Sequence, residues 1–181
     1  MNVLTCELAG PLIFEPKVFG DNRGFFLESW NRQRYRDAGV TYDLVQDNFS
    51  RSCRGTLRGM HWQNPQPQGK LVSVWDGEVW DVVVDIRRAS PTYGSWFGLS
   101  LSADNKRQFW VPPGFAHGFV VLSDAALFHY KCTDYYSPKD EVGFRWDDPT
   151  VGIKWPVAQP ILSPRDAAAP LFRDIPVEKL F

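Results

Sequence analysis

Cysteine is scarce in this sequence, and the pattern of the few cysteines excludes a disulfide-built protein. Cys6, Cys53 and Cys132 are the only cysteines, and they are odd in number and far apart. They form neither a CxxC pair nor the framework of a small secreted domain. A reducing, cytoplasmic location is therefore expected.

Long apolar runs and an excess of charge of one sign are also absent. No apolar stretch approaches the ~20 residues that a membrane-spanning helix needs. The first residues lack a basic region followed by an apolar run, so no signal peptide is expected. The formal net charge is −1, so no global field favours nucleic acid. Neither a membrane nor a nucleic acid is an expected partner, and an anionic ligand would have to be held by local basic residues.

Aromatic residues, in contrast, are abundant. They make up 15% of the chain and include eight tryptophans, which favours a β-rich core or a pocket that stacks flat ligands. The 181 residues fit one domain, residues 1–181, with a sizeable core. No internal repeat, low-complexity run or linker divides the chain.

Strand signals follow one another closely from residue 43 onward. Short runs rich in β-branched and aromatic residues, separated by Gly, Pro and Asp turns, predict strands at 44–50, 54–62, 70–75, 78–86, 95–102, 108–111, 118–122 and 126–133. Asp76-Gly77 is a strong hairpin turn signal between two of them. This pattern predicts an all-β antiparallel sandwich or barrel.

The two ends of the chain carry weaker signals. Pro11 and Pro16 place residues 3–19 in edge strands or an arm, and a strand at 25–30 follows a turn at 21–24. Residues 31–39 are the best helix candidate, short, polar and peripheral. The last ~40 residues are expected to form loops and short helices over the β core.

The most unusual stretch is residues 54–62, followed closely by Gly69-Lys70. It contains two arginines, two glycines and His61, and glycines that flank an arginine indicate a bend or a close approach to a ligand. On an extended strand Leu57, Gly59 and His61 share one face. His61 is either a core histidine or a functional group, and spacing alone leaves both open.

A second short motif points to a jelly roll. Residues 112–117 (PPGFAH) resemble the PxGxxH half of the second cupin motif. The paired His-x-His of metal-binding cupins is missing, because Trp62 and Gln63 follow His61. Only His117 and His129 remain, so a metal would need mixed ligands and none is expected.

A β pocket without a metal can still perform acid–base chemistry. Imidazole is the commonest general base, and a carboxylate on its other nitrogen fixes its tautomer. Lys70 and Arg58 are close in sequence to His61 and would stabilise an oxyanion beside a carbonyl. A tyrosine would return the proton. Spacing locates neither the aspartate nor the tyrosine.

Eight segments together give the chain a family resemblance. They are residues 23–28 (RGFFLE), 46–48 (QDN), 55–61 (GTLRGMH), 68–72 (QGKLV), 81–87 (DVVVDIR), 113–119 (PGFAHGF), 130–136 (YKCTDYY) and 163–170 (SPRDAAAP). In this combination the sequence resembles the dTDP-4-dehydrorhamnose 3,5-epimerase family, collinearly from residue 10 to residue 172. The resemblance implies a jelly-roll (cupin) β-sandwich with short peripheral helices.

The same resemblance implies a role for individual residues. His61 would be the general base, Asp166 its carboxylate partner, Tyr130 the acid on the opposite side of the sugar, and Lys70 a neighbour of the C4 oxygen. Ligand contacts are implied at Arg23, Glu28, Gln46, Asn48, Arg58, His117, Glu141 and Arg165, with Tyr136 stacked on the thymine ring. Tyr135 and Tyr136 compete with Tyr130 for the acid role, and Arg165 stands where lysine is common.

The implied activity is cofactor-free 3,5-epimerisation of dTDP-4-dehydro-6-deoxy-D-glucose to dTDP-4-dehydro-L-rhamnose, in dTDP-L-rhamnose biosynthesis. The implied assembly is a homodimer in which N-terminal residues lend a strand to the partner. Rival interpretations are an epimerase acting at C3 or C5 alone, a non-catalytic cupin that binds nucleotide sugars, and a metal-dependent cupin oxygenase.

Overall fold

The computed structural model describes all 181 residues and is built almost entirely from β-strands. The strands are β1 Asn2–Thr5, β2 Leu12–Glu15, β3 Val18–Asp21, β4 Gly24–Leu27, β5 Gln46–Cys53, β6 Leu57–Gln63, β7 Lys70–Asp76, β8 Glu78–Asp85, β9 Trp96–Ser102, β10 Gln108–Val111, β11 Phe115–Val121, β12 Ala125–Cys132 and β13 Glu141–Gly143. The helices are α1 Arg32–Asp37 and α2 Pro164–Ala167, with short 3-10 turns at Phe172–Asp174 and Val177–Lys179. None of the helices is long and apolar enough to cross a membrane.

The strands form two antiparallel sheets and a separate hairpin. One sheet has six strands in the order β1-β2-β10-β7-β12-β5, and the other has five in the order β13-β6-β11-β8-β9. Strands β3 and β4 pair only with each other. The expected edge position is right for β1 but wrong for β2, which lies between β1 and β10. Pro11 and Pro16 lie just outside β2, so neither removes one of its ladder hydrogen bonds.

The main core fills the space between the sheets. Val72 and Val74 enter it from β7, and Val79 and Val83 enter it from β8. This alternation follows from the two-residue period of a strand, which sends every second side chain to the same face. The predicted antiparallel sandwich is therefore confirmed.

Local turn chemistry explains where elements begin and end. The helix predicted within residues 31–39 is confirmed as α1: Asn31 caps its start by accepting from the Arg34 backbone N–H, and Gly39 follows its end at φ +113°. The strand predicted at 54–62 starts only at Leu57, since Gly55 turns at φ +80°. The strand predicted at 118–122 begins earlier, at Phe115, directly after Gly114 at φ +95°.

Candidate active site

One cavity of about 550 Å³ opens between strands of both sheets. Of the thirteen site residues predicted from the sequence, nine line it: Arg58, His61, Lys70, His117, Tyr130, Tyr136, Glu141, Arg165 and Asp166. They come from strands β6, β7, β11, β12 and β13, from helix α2 and from the loop after β12. Residues more than a hundred positions apart therefore meet in one place.

His61 and Asp166 form a partly buried hydrogen-bonded pair. The Nε2 of His61 on β6 lies 2.5 Å from Oδ1 of Asp166 in α2. Burial by itself would raise the pKa of Asp166, but the hydrogen bonds that the carboxylate accepts, led by the one from His61, bring its pKa below the usual value. The carboxylate is thus ionised and accepts the Nε2–H. Nδ1 of His61 makes no hydrogen bond and lies 3.8 Å from Oε1 of Glu141.

The position of Asp166 depends on the local structure of α2. Ser163 is the N-cap, and its Oγ accepts from the backbone N–H of Asp166 at 3.0 Å. Pro164 occupies the first turn, where its missing N–H costs nothing. The segment that sequence patterns describe as a polar turn thus fixes a carboxylate against His61.

His117 belongs to the same sheet as His61, whereas Lys70 lies on β7 of the six-stranded sheet and lines the cavity from the other side. His117 on β11 pairs directly with His61 on β6 in the strand register. Its Nε2 lies 2.9 Å from each carboxylate oxygen of Asp81 on β8. Burial lowers the pKa of Lys70, and the carboxylates of Glu141 and Asp81 oppose that change.

Tyr130 lies in the other sheet from His61. It is on β12 of the six-stranded sheet, whereas His61 is on β6 of the five-stranded one. Burial raises the pKa of Tyr130, so its hydroxyl keeps its proton at neutral pH. Of the two competing tyrosines, Tyr135 does not line the cavity, whereas Tyr136 does and its hydroxyl donates to Glu141 at 2.7 Å.

Basic groups surround the cavity mouth. Arg165 donates to Glu141, whose Oε2 also accepts from Tyr136. Arg58 is held by two bonds to the buried Ser52, from Nε at 3.2 Å and from Nη2 at 3.1 Å. These two guanidinium groups give a near-neutral protein a local site for an anion.

Four predicted site residues do not line the cavity. Gln46 and Asn48 are its neighbours, because Asn48 pairs with Tyr130 in the register of β5 and β12 and Gln46 accepts from the Tyr136 N–H at 2.9 Å. Arg23 and Glu28 lie elsewhere. Arg23 is at the exposed turn of the β3–β4 hairpin, bound to Asp21, and Glu28 is bound to Arg34.

No group of three or more His, Cys, Asp or Glu side chains lies close enough together to hold a metal ion. His129 lies outside the cavity, where its Nδ1 is 3.1 Å from Ser73 Oγ and its ring packs against Phe49 and Trp75.

Comparison with known proteins identifies the family of the chain. The sequence profile of the dTDP-4-dehydrorhamnose 3,5-epimerase family matches residues 5–174. The chain is 54% identical over 176 residues to the Shigella flexneri dTDP-4-dehydrorhamnose 3,5-epimerase, covering 96% of this chain and 97% of that protein. This chain belongs to the dTDP-4-dehydrorhamnose 3,5-epimerase family.

Other members of the family extend the likeness. The Salmonella typhimurium dTDP-4-dehydrorhamnose 3,5-epimerase is 55% identical over 174 residues, covering 94% of this chain and 95% of its own. A dTDP-6-deoxy-D-glucose-3,5-epimerase from Legionella pneumophila, solved in complex with dTDP-4-keto-L-rhamnose, superposes with a TM-score of 0.97 at 55% identity, over 99% of this chain and 96% of that one. The predicted cupin-type fold is confirmed.

Some residues of this epimerase site were missed by reasoning from the sequence. Ser52, which holds Arg58, carries no recognisable signal in the sequence. Asp81 carries one, because it stands next to the apolar run Val82-Val83-Val84 in a predicted strand. In the structure its side chain on β8 has no exposed surface. A carboxylate in a buried strand requires a charged or hydrogen-bonding partner.

Proposed function

We propose that the protein catalyses the 3,5-epimerisation of dTDP-4-dehydro-6-deoxy-D-glucose to dTDP-4-dehydro-L-rhamnose, a step of dTDP-L-rhamnose biosynthesis. The observation that carries this proposal is the 2.5 Å contact between His61 and Asp166 in a cavity that also contains Lys70 and Tyr130. The similarity to the Legionella pneumophila enzyme, whose structure contains dTDP-4-keto-L-rhamnose, supports the choice of ligand.

His61 is the general base of this mechanism. The C4 ketone of the substrate acidifies the hydrogens on C3 and C5, and Nδ1 of His61 removes one of them. Asp166 holds the ring through Nε2 and stabilises the imidazolium that results. The pair is preformed in the cavity, so no rearrangement precedes proton transfer.

Lys70 stabilises the enolate. Removal of the proton leaves negative charge on the C4 oxygen, and a cation beside a developing oxyanion is worth most where water is excluded. Partial burial lowers the pKa of Lys70. An ammonium in this position therefore gains more from the enolate than it would in open water.

Tyr130 returns the proton from the other side. Burial raises the pKa of Tyr130, so it is a proton donor at neutral pH. Because Tyr130 and His61 belong to different sheets, a sugar held between them is deprotonated on one face and reprotonated on the other. The configuration of the carbon is thereby inverted. Both C3 and C5 can react in this way, because both adjoin C4.

The nucleotide part of the substrate is held at the cavity mouth. Arg58 and Arg165 are planar forks that match the diphosphate oxygens. Tyr136 offers an aromatic face to the thymine ring. Gln46 and Asn48, beside Tyr130 and Tyr136, would hydrogen-bond the nucleotide or the sugar.

Arg23 and Glu28 support a homodimer. They lie in or just after the β3–β4 hairpin, whose Phe19, Phe25 and Phe26 are 53%, 62% and 69% exposed. Exposed apolar surface of this extent marks a protein–protein contact. We infer that the hairpin packs against a second copy of the chain and carries Arg23 into the partner's cavity.

Proton exchange measured by NMR tests the proposed function. In deuterated water, the wild type with dTDP-4-dehydro-6-deoxy-D-glucose is expected to incorporate deuterium at both C3 and C5 and to yield the L-rhamno product. His61→Asn is expected to abolish both exchanges, because it removes the base. His129→Asn is the matched control, since His129 lies outside the cavity, and it should behave as the wild type.

The outcomes separate the alternatives. Exchange at one carbon alone would make the protein a 3- or 5-mono-epimerase acting by the same chemistry. Absence of exchange with the wild type, together with tight dTDP binding, would overturn the proposal and favour a non-catalytic nucleotide-sugar-binding protein.

A further inference from the structure

Asp81 is a fully buried carboxylate that the reaction as described does not use. It does not line the cavity, and its side chain has no exposed surface. Its only hydrogen-bond partner is Nε2 of His117, which lies 2.9 Å from both carboxylate oxygens. A buried carboxylate costs free energy unless it is paired, so its place behind a cavity histidine calls for an explanation.

The strand register explains why the two side chains meet. On β8 and β11, His117 is directly opposite Val83 and Phe119 is directly opposite Asp81. His117 and Asp81 are therefore diagonal neighbours on the same face of the sheet. On its other side His117 pairs with His61 of β6, so the ring lies between the buried carboxylate and the general base.

The free nitrogen of His117 faces the cavity. Nε2 is used by Asp81, and Nδ1 has no hydrogen bond within the chain. Trp80 Nε1 is the only fully buried side-chain nitrogen or oxygen that lacks a hydrogen-bond partner. Since Nδ1 of His117 also lacks a partner, it must have some exposed surface. Because His117 lines the cavity, Nδ1 opens onto it.

We propose that Asp81 is a positioning residue for the epimerisation: it holds His117 by its Nε2–H so that Nδ1 meets the sugar beside C4. This proposal rests on the proposed function. Asp81 touches no substrate atom and acts through His117.

The carboxylate charge has a second effect, on Lys70. Burial lowers the pKa of Lys70, and the carboxylates of Glu141 on β13 and Asp81 on β8 oppose that change. Burial likewise raises the pKa of Asp81, and His117 and Lys70 oppose that rise. Removal of the Asp81 charge should therefore lower the pKa of Lys70 further.

The variant Asp81→Asn tests the proposal, because asparagine keeps the shape and one acceptor oxygen but loses the charge. We expect kcat to fall ~10- to 100-fold, as is usual when the carboxylate behind a functional histidine is lost, with little change in KM. The alkaline limb of the kcat–pH profile should move to lower pH, since Lys70 would lose its proton more easily.

Asp85→Asn is the matched control. Asp85 lies on the same strand and is equally buried, but its partners are Arg87, Ser90 and Thr92, none of which lines the cavity. This variant should lose stability and keep the wild-type kcat and pH profile. If Asp81→Asn behaves in the same way, with lower stability only, Asp81 is merely structural and the proposal is wrong.

A measurement on the wild type covers the case in which Asp81→Asn does not fold. In ¹⁵N-histidine-labelled protein, the resonances that are absent from the spectrum of His117→Asn belong to His117. In the wild type, its Nε2 should carry a proton across the pH range in which the enzyme is active. A ring protonated only at Nδ1 would overturn the proposal. Failure of the wild type to exchange substrate protons would refute the proposed function instead, so the two failures are distinguishable.

Discussion

At the scale of single residues, His61 and Tyr130 have different surroundings, and this difference supports the roles proposed for them. His61 faces an ionised carboxylate at 2.5 Å, which holds its tautomer and leaves one nitrogen free to accept a proton. Tyr130 is half-buried, which raises its pKa and keeps its proton in place. An imidazole with a nitrogen that can accept a proton and a phenol that keeps its proton can serve as base and acid.

Tyr130→Phe should separate proton removal from inversion. The base and Lys70 are intact, so deuterium should still enter the substrate, but the proton can return only from the side of His61. We expect exchange with retention of configuration and a loss of epimerised product of ~100-fold or more. Product NMR measures both quantities, and Tyr135→Phe, outside the cavity, is the control. Equal loss of exchange and of epimer would contradict the assignment of Tyr130 as the acid.

At the scale of secondary-structure elements, the close approach of β6 and β11 brings the two cavity histidines together. Gly59 has φ +123°, and a Cβ added there would lie 2.5 Å from Gly118 Cα and 2.8 Å from the His117 carbonyl oxygen. The register of the pair also shifts between His117 and Phe119. Only glycine at this position allows both the conformation and the contact.

Gly59→Ala should therefore destabilise the protein and disturb the site. The left-handed conformation and the backbone clash together are expected to cost roughly 2–5 kcal/mol. Denaturant unfolding measures the loss, and kcat should fall with it because His61 is two residues away. In the control Gly20→Ala, the nearest atom would be the Gly24 carbonyl oxygen at 3.7 Å, an ordinary contact. A Gly59→Ala protein as stable as this control would refute the argument.

The turn that follows β8 is stabilised by an ionised carboxylate. Asp85 accepts hydrogen bonds from Arg87, Ser90 and Thr92. Burial by itself would raise the pKa of Asp85, but these bonds together lower it to about 2. The folded-state pKa is thus below that of the unfolded chain, so Asp85 stabilises the folded protein wherever it is ionised in both states.

The stability contributed by Asp85 should depend on pH in the acid range. It is fully present above about pH 4, the usual aspartate pKa, and is lost as the pH falls towards 2. The difference amounts to about 2 kcal/mol. Urea unfolding of wild type and Asp85→Asn between pH 2 and 7 measures it, and the stability gap between them should narrow as the pH falls. A gap independent of pH would show that the ionised state of Asp85 is not what stabilises the turn.

At the scale of the whole molecule, the β3–β4 hairpin is the part that its own chain leaves unpacked. Its phenylalanines are exposed, and Arg23 at its tip is bound only to the neighbouring Asp21. Phe49 and Trp75 add further exposed aromatic surface on the six-stranded sheet, at 55% and 52%. A second copy of the chain would bury this surface and give Arg23 a ligand to bind.

Mixed dimers test whether Arg23 serves the partner's cavity. Arg23→Ala should raise KM and His61→Asn should abolish turnover. Co-expressed, the two variants should form mixed dimers in which one cavity has both His61 and the partner's arginine, so substrate affinity in that cavity should return to the wild-type value. Arg32→Ala, an exposed arginine bound to Asp43 in α1, is the control for Arg23 and should leave KM unchanged. If mixed dimers keep the high KM of Arg23→Ala, the arginine serves its own cavity or none.

Much of the fold was predictable because its signals are local. The turn at Asp76-Gly77 joins β7 and β8 as predicted, with Gly77 at φ +77°. The strand predicted at 108–111 is β10 itself. Several errors lie at the ends of elements, where single glycines such as Gly55 and Gly114 decide the boundary. Two others are larger: the short strand β13 was not predicted, and β2 is not an edge strand.

The candidate site was less accessible to sequence reasoning alone. Local patterns describe Asp166 as a turn residue, and it does sit in a capped turn, but only the family resemblance singles it out as the partner of His61. Because 105 residues separate Asp166 from His61, no motif spacing in the sequence links the two. The pairing of His117 with Asp81 depends on strand register in the same way.

The sequence by itself determined the class of fold and the chemical groups that are available. Alternating apolar residues, turn glycines and prolines act over a few positions, so they specify strands and turns without knowledge of the rest of the chain. Only the tertiary structure decided which groups meet: that His61 faces Asp166, that His117 faces Asp81, that Tyr130 comes from the other sheet, and that Arg23 stays outside its own cavity. These contacts depend on sheet order and register, which arise when distant segments bury their apolar faces together.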